Sequence, residues 1–194
     1  PTQKSKSVDY EAVRALKTKY LKKAFQFFEV TADYKVFLKR AYWLDEYVEF
    51  ITLKKQNDMK SWLLWTDLKA DKAAMDYERF VQYVFDKQWH KVKNYANSKG
   101  IQMVGDLPIY LGHDSAEVYF HPGLFHLKED GSPHLVAGVP PDNFSDEGQL
   151  WGNPLYDWIK NAADDYDLWI KRLAWNQSMF DVIRLDHFRA FDTY

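Results

Sequence analysis

The chain has no cysteine among its 194 residues, so neither a disulfide framework nor a thiolate metal site can be built from it. It also lacks an excess of either charge: 26 Lys and Arg stand against 28 Asp and Glu, for a formal net charge of -2 and an isoelectric point near 6.3. A nucleic-acid footprint needs a strongly basic face, so no nucleic-acid partner is expected. The lysines that crowd the start, from Lys4 to Lys22 and Lys23, interleave with an apolar helical stripe and read as a solvated face. Long apolar runs are missing too. No stretch approaches a membrane span or the apolar core of a signal peptide, so a soluble, cytoplasmic setting without a membrane partner is the expectation. There is no internal repeat and no low-complexity segment.

Aromatic rings, in contrast, make up 18% of the residues. Most must serve as core. Rings also supply flat apolar walls for the C–H faces of sugars, with polar neighbours free to bond hydroxyls. Composition does not separate these uses.

Residues 1–100 read as a mainly helical region. After Asp9, a candidate N-cap, Val13, Leu16, Tyr20, Ala24 and Phe27 recur at helical spacing, which predicts one buried face. A second helix is expected from about Thr31, and a third from about Trp43 to Lys54 with Leu44, Tyr47, Val48 and Ile51 inward. The clearest pattern runs from Asp76 to about Ser98, with Phe80, Val81, Val84, Phe85, Gln88, Val92 and Tyr95 on one face and Gly100 as its stop. Beyond Gly100 the period changes. Ile101 to Gly105 suits a buried strand with Asp106 at its end, and six of the seven prolines fall in the weakly periodic stretch that follows, to about Asp157. A helix from about Ala163 to Met179, packing through Tyr166, Trp169, Ile170 and Leu173, then leads to a strand over Val182–Leu185. Strand, long crossover, helix and strand form one βαβ unit with parallel strands.

The Val182 strand ends in a carboxylate, Asp186, flanked by Arg184 and Arg189. Such a position is where a (β/α)-barrel keeps its chemistry, but an aspartate there can equally cap the next helix. His113 with Asp114, and His187 beside Asp186, have the residue types of a metal pair, yet no third ligand has metal-like spacing, so no metal or other cofactor is expected.

Three strings lie in order along the chain: Gly105–Tyr119 (GDLPIYLGHDSAEVY), Gly138–Trp158 (GVPPDNFSDEGQLWGNPLYDW) and Val182–Arg189 (VIRLDHFR). Together they resemble the 4-α-glucanotransferases, or amylomaltases, of glycoside hydrolase family seventy-seven. The resemblance implies an α/β fold, an incomplete (β/α)8 TIM barrel with two recognisable parallel strands. Residues 1–100 would hold an insertion subdomain and a barrel helix, and 101–194 the βαβ part with an inserted substrate-binding loop, 107–158. It further implies Asp186 as catalytic nucleophile and Arg184 as its support. Asp106, Gln149 and Trp151 would bind substrate, and Phe144 would lie in a loop over the acceptor side. The implied substrate is a maltooligosaccharide or other α-1,4-glucan, with no cofactor.

In that family an acid/base glutamate and a further aspartate follow later barrel strands. The resemblance therefore implies a central fragment, inactive alone, whose partners are the remaining barrel segments. An α-amylase-type hydrolase and a non-catalytic glucan-binding module are the alternatives.

Overall fold

A computed structural model describes residues 7–141, 143 and 145–191. Four helices come first: α1 (Tyr10–Phe25), α2 (Ala32–Arg40), α3 (Leu44–Gln56) and α4 (Lys72–Ser98). Strand β1 (Val104–Pro108) follows, then a short α5 (Ala116–Phe120), strands β2 (Val136–Val139) and β3 (Gln149–Pro154), helices α6 (Trp158–Ala163) and α7 (Asp167–Met179), and strand β4 (Val182–Asp186). Local chemistry sets the helix starts: Asp9, Thr31 and Asp71 each accept the backbone N–H three residues on. α4 thus begins at Lys72, four residues before the expected Asp76.

β1 and β4 pair in parallel, with Asp106 opposite Arg184 and Pro108 opposite Asp186, as the βαβ reading requires. β1 is displaced from its expected span. Ile101 is exposed because it closes α4: its N–H reaches Ala96 O at 3.0 Å while Gly100, at φ +74°, bonds Asn97 O at 2.9 Å. The strand therefore starts at Val104, and Asp106 is its central residue rather than the one beyond its end. Nor is the sheet buried on both faces. Gly105 and Leu107 are buried on one side, while Val104, Asp106, Val182, Arg184 and Asp186 are exposed on the other.

Three other expectations are corrected. The α1 stripe of Val13, Leu16, Tyr20, Ala24 and Phe27 is exposed. The packed residues are Leu21 and Phe25, one position round the helix, and Phe28 beyond its end, with the Phe25 ring 5.6 Å from Tyr77 and 5.4 Å from Phe80 of α4. One residue is about 100° of helix, so two adjacent apolar stripes were in competition. In α4, Phe85, Gln88, Val92 and Tyr95 are exposed, while Tyr83, Glu78 and Asp86 are buried with Phe80. The two carboxylates are admitted because Lys55 meets Glu78 at 2.5 Å and Arg40 grips both oxygens of Asp86 at 2.7 Å. The helix expected from Ala163 starts later, at Asp167, because Asp165 and Tyr166 are left-handed and separate it from α6, which ends at Ala163; α7 then packs through Leu168, Trp169 and Arg172, leaving Tyr166 and Ile170 exposed.

The stretch after β1 is built rather than loose. β2 and β3 form an antiparallel hairpin with an irregularity between Val136 and Gly138. A core of Ile109, Val118, Phe125, Tyr156, Leu168, Trp169 and Ala190 ties it to α7. Among the described residues no helix is long and apolar enough to cross a membrane.

Candidate active site

β-strand alternation puts every second residue of β1 and β4 on one face, and the parallel register brings Asp106, Arg184 and Asp186 together there. Arg184 donates from Nε to Asp106 Oδ1 at 2.9 Å and from Nη2 to Asp106 Oδ2 at 2.6 Å. The same Nη2 lies 3.2 Å from Asp186 Oδ1. The fork geometry of a guanidinium makes this double grip possible. Its hydrogen bonds hold the Asp106 carboxyl below the ordinary carboxylate range, and Asp106 in turn raises the Arg184 pKa. All three side chains are more than half exposed, so solvent screens the pairs and their energetic worth in this chain is small.

β3 brings the second group. Trp151 Nε1 donates to Gln149 Oε1 at 3.0 Å, which joins the two expected sugar-binding residues. The Trp151 ring stands edge-on to His187 with centroids 4.9 Å apart, and His187 directly follows Asp186. The hairpin side chains and the carboxylate strand thus meet through one residue. His187 sits at φ +54°, a conformation that side-chain-bearing residues adopt at a cost, and its buried Nε2 has no hydrogen-bond partner among the described residues. Tyr110 completes the aromatic group, 6.2 Å from Trp151 and 6.1 Å from His187. Sequence reasoning passed over Tyr110. Its position four residues after Asp106 was a usable signal, but nothing marked it out among 13 tyrosines.

Asn153 secures the hairpin by donating to Leu111 O at 2.9 Å. A groove of about 580 Å³ is lined by Tyr110, Gln149, Leu150, Tyr156, Trp158 and strand β2. Phe144 lies outside the described residues. His113 is engaged elsewhere, stacked on Trp62 and bonded to Gly131 O at 2.8 Å. Among the described residues no cluster of three or more His, Asp or Glu could hold a metal ion.

Fold and site define a class: an α/β protein whose adjacent parallel strands present two carboxylates and a shared arginine on one face, beside an aromatic hairpin. A family model described as 4-alpha-glucanotransferase matches residues 1–194. The 4-alpha-glucanotransferase of Aquifex aeolicus is 41% identical over 95% of this chain, and that of Thermus thermophilus is 40% identical over 96%. In each case the match spans 41% of the relative's length. The amylomaltase of Streptococcus agalactiae, solved in complex with acarbose, is 38% identical and superposes with a TM-score of 0.86, covering 95% of this chain and 41% of that one. An amylomaltase from Corynebacterium glutamicum, 17% identical over 91% of this chain and 25% of its own, shares the fold at a TM-score of 0.73. The chain belongs to the 4-alpha-glucanotransferase family.

Proposed function

We propose that this chain is the nucleophile-bearing part of a retaining 4-α-glucanotransferase, which cuts an α-1,4 bond in a maltooligosaccharide and passes the glycosyl group to another glucan. The observation that carries the reading is the Arg184 guanidinium spanning Asp106 and Asp186 on the open face of β1 and β4. Asp186 attacks the anomeric carbon, the bond to the leaving glucan breaks, and a covalent glycosyl-enzyme forms with inversion; a second displacement restores the configuration. A second carboxylic acid about 5 Å away must protonate the leaving oxygen and later deprotonate the acceptor hydroxyl. We assign it to the part of the relatives' length that this chain does not span. Arg184 favours the ionised state of Asp106 and places a positive charge beside Asp186. Asp106 and Gln149 bond sugar hydroxyls, Trp151 gives an apolar wall, and Phe144 belongs to a loop that keeps water from the intermediate. Two carboxyl groups suffice for this chemistry, so the proposal includes no cofactor.

In the same reading β1 and β4 are two strands of a (β/α)8 barrel. Residues 1–100 are the insertion subdomain with one barrel helix, residues 107–158 are the substrate-binding loop, and the setting is cytoplasmic. The 194-residue chain alone is expected to be inactive. The test uses a chain of the relatives' full length with maltotriose. Wild type should release glucose and build longer glucans, while Asp186→Asn should do neither yet still bind maltoheptaose in calorimetric titration. Transfer by Asp186→Asn would overturn the nucleophile assignment, and glucose without longer glucans from wild type would make the protein a hydrolase.

A further inference from the structure

We infer that Arg172 is a positioning residue for transfer, locking the exits of β1 and β3 to the helix that leads into β4; this rests on the glucanotransferase reading above. Arg172 is 7% exposed on α7, yet its donors go to neutral oxygens. Nη2 bonds Pro108 O at 2.9 Å, and Nη1 bonds Tyr156 Oη at 3.1 Å and reaches Ile109 O at 3.4 Å. Its guanidinium carbon lies 4.7 Å from the Trp169 ring centroid. Tyr156 interlocks with the same point, its hydroxyl donating to Ile109 O at 2.7 Å.

Filling space alone would be served better by an apolar side chain, because a buried charge must be desolvated. What only a planar, forked donor provides is a simultaneous grip on two segments. The segments it joins are those that carry the site. Pro108 lies two residues after Asp106 and two before Tyr110. Tyr156 lies five residues after Trp151 and seven after Gln149. α7 itself runs into β4, with Arg184 and Asp186. Arg172 therefore fixes the hairpin's Trp151 and Gln149 against both carboxylates without touching substrate.

Whether an acceptor sugar or water resolves a glycosyl-enzyme depends on how well the hairpin holds the acceptor and excludes water. The experiment takes a full-length chain and the variants Arg172→Lys, Arg172→Met and Tyr156→Phe. With maltotriose it measures KM and the ratio of hydrolysis to transfer, read from reducing ends gained against longer glucans formed. That ratio is insensitive to the fraction of enzyme folded, so a purely structural role would not move it. In Arg172→Lys and Tyr156→Phe we expect hydrolysis per transfer to rise about tenfold, with a raised KM, since small misplacements of bound groups cost rates of this order. Tyr156→Phe keeps the charge and the ring, so it serves even where Arg172→Met does not fold. An unchanged ratio and KM in both Tyr156→Phe and Arg172→Lys would overturn the inference. Wild type without transfer would overturn the glucanotransferase reading instead.

Discussion

Gly105→Ala tests whether β1 is held where the site requires it. Gly105 precedes Asp106 and is itself buried, with Leu107, on the packed face of the sheet. A Cβ built there would meet three ring atoms of Phe180, none farther than 2.7 Å and Cγ among them. Rotation about χ2 leaves Cγ in place, so relief requires a change of χ1 or a shift of β1. The ring is confined by Trp89, edge-on at 5.4 Å, whose Nε1 donates to Met179 O at 2.8 Å. Overpacking of this kind costs about 1–3 kcal/mol. Against it, the lower backbone entropy of alanine in the unfolded chain returns about 0.4–1 kcal/mol, because the φ of Gly105 is not in the left-handed region. The steric effect wins, leaving a net loss of about 1–2 kcal/mol and a thermal midpoint lowered by about 2–8 °C for a domain of this size. Calorimetry of wild type, Gly105→Ala, Phe180→Ala and the double variant is the assay, because alanine removes the Cγ that the new Cβ meets. The double variant should be more stable than the sum of the two single effects predicts. A Gly105→Ala midpoint at or above wild type would refute the packing argument.

Asp181 takes Lys93 Nζ at 2.5 Å, Asn97 Nδ2 at 2.7 Å and Met103 N–H at 2.8 Å, and these bonds lower its carboxyl pKa from an ordinary 3.8 to about 2. A depressed folded pKa means stability present above pH 3.8 and lost as pH falls through about 2; urea midpoints across that window should flatten in Asp181→Asn and not in wild type. Arg184→Lys replaces a fork by a point charge, and transfer kcat/KM in the full-length chain should fall by about a hundredfold; a change under threefold would remove Arg184 from the mechanism. Trp151→Ala should raise KM for maltotriose by up to about tenfold, the worth of one aromatic contact. A fall in kcat alone would contradict that role.

The β4 strand and the helices α2 and α3 were legible because β-branched residues, caps and apolar spacing agreed over short stretches. Where two signals competed, the sequence was a poorer guide. Ile101 reads as strand by its side chain, but the glycine closure of α4 claims its N–H. The break at Asp165 and Tyr166 uses left-handed residues other than glycine, so no punctuation marked it. Glu78 and Asp86 face inward because cations from other helices meet them, which hydropathy along one helix cannot register. In the site, the strings pointed to Asp106 and Arg184 one by one. Their pairing is a matter of strand register across 78 residues, and only the folded sheet supplies it.

The asymmetry of that pairing bears on how the site would work. Two carboxylates on neighbouring strands repel each other. A cation between them removes that penalty, but Arg184 does not divide itself evenly. Asp106 is held by two donors at 2.6 and 2.9 Å, whereas Asp186 has a single contact at 3.2 Å. A nucleophile must release its partners to bond carbon, so the looser contact suits the attacking role proposed for Asp186. In the proposed function Asp106 has a second duty besides meeting sugar hydroxyls: it fixes the plane of the guanidinium, which leaves Nη2 beside Asp186 before and after the attack.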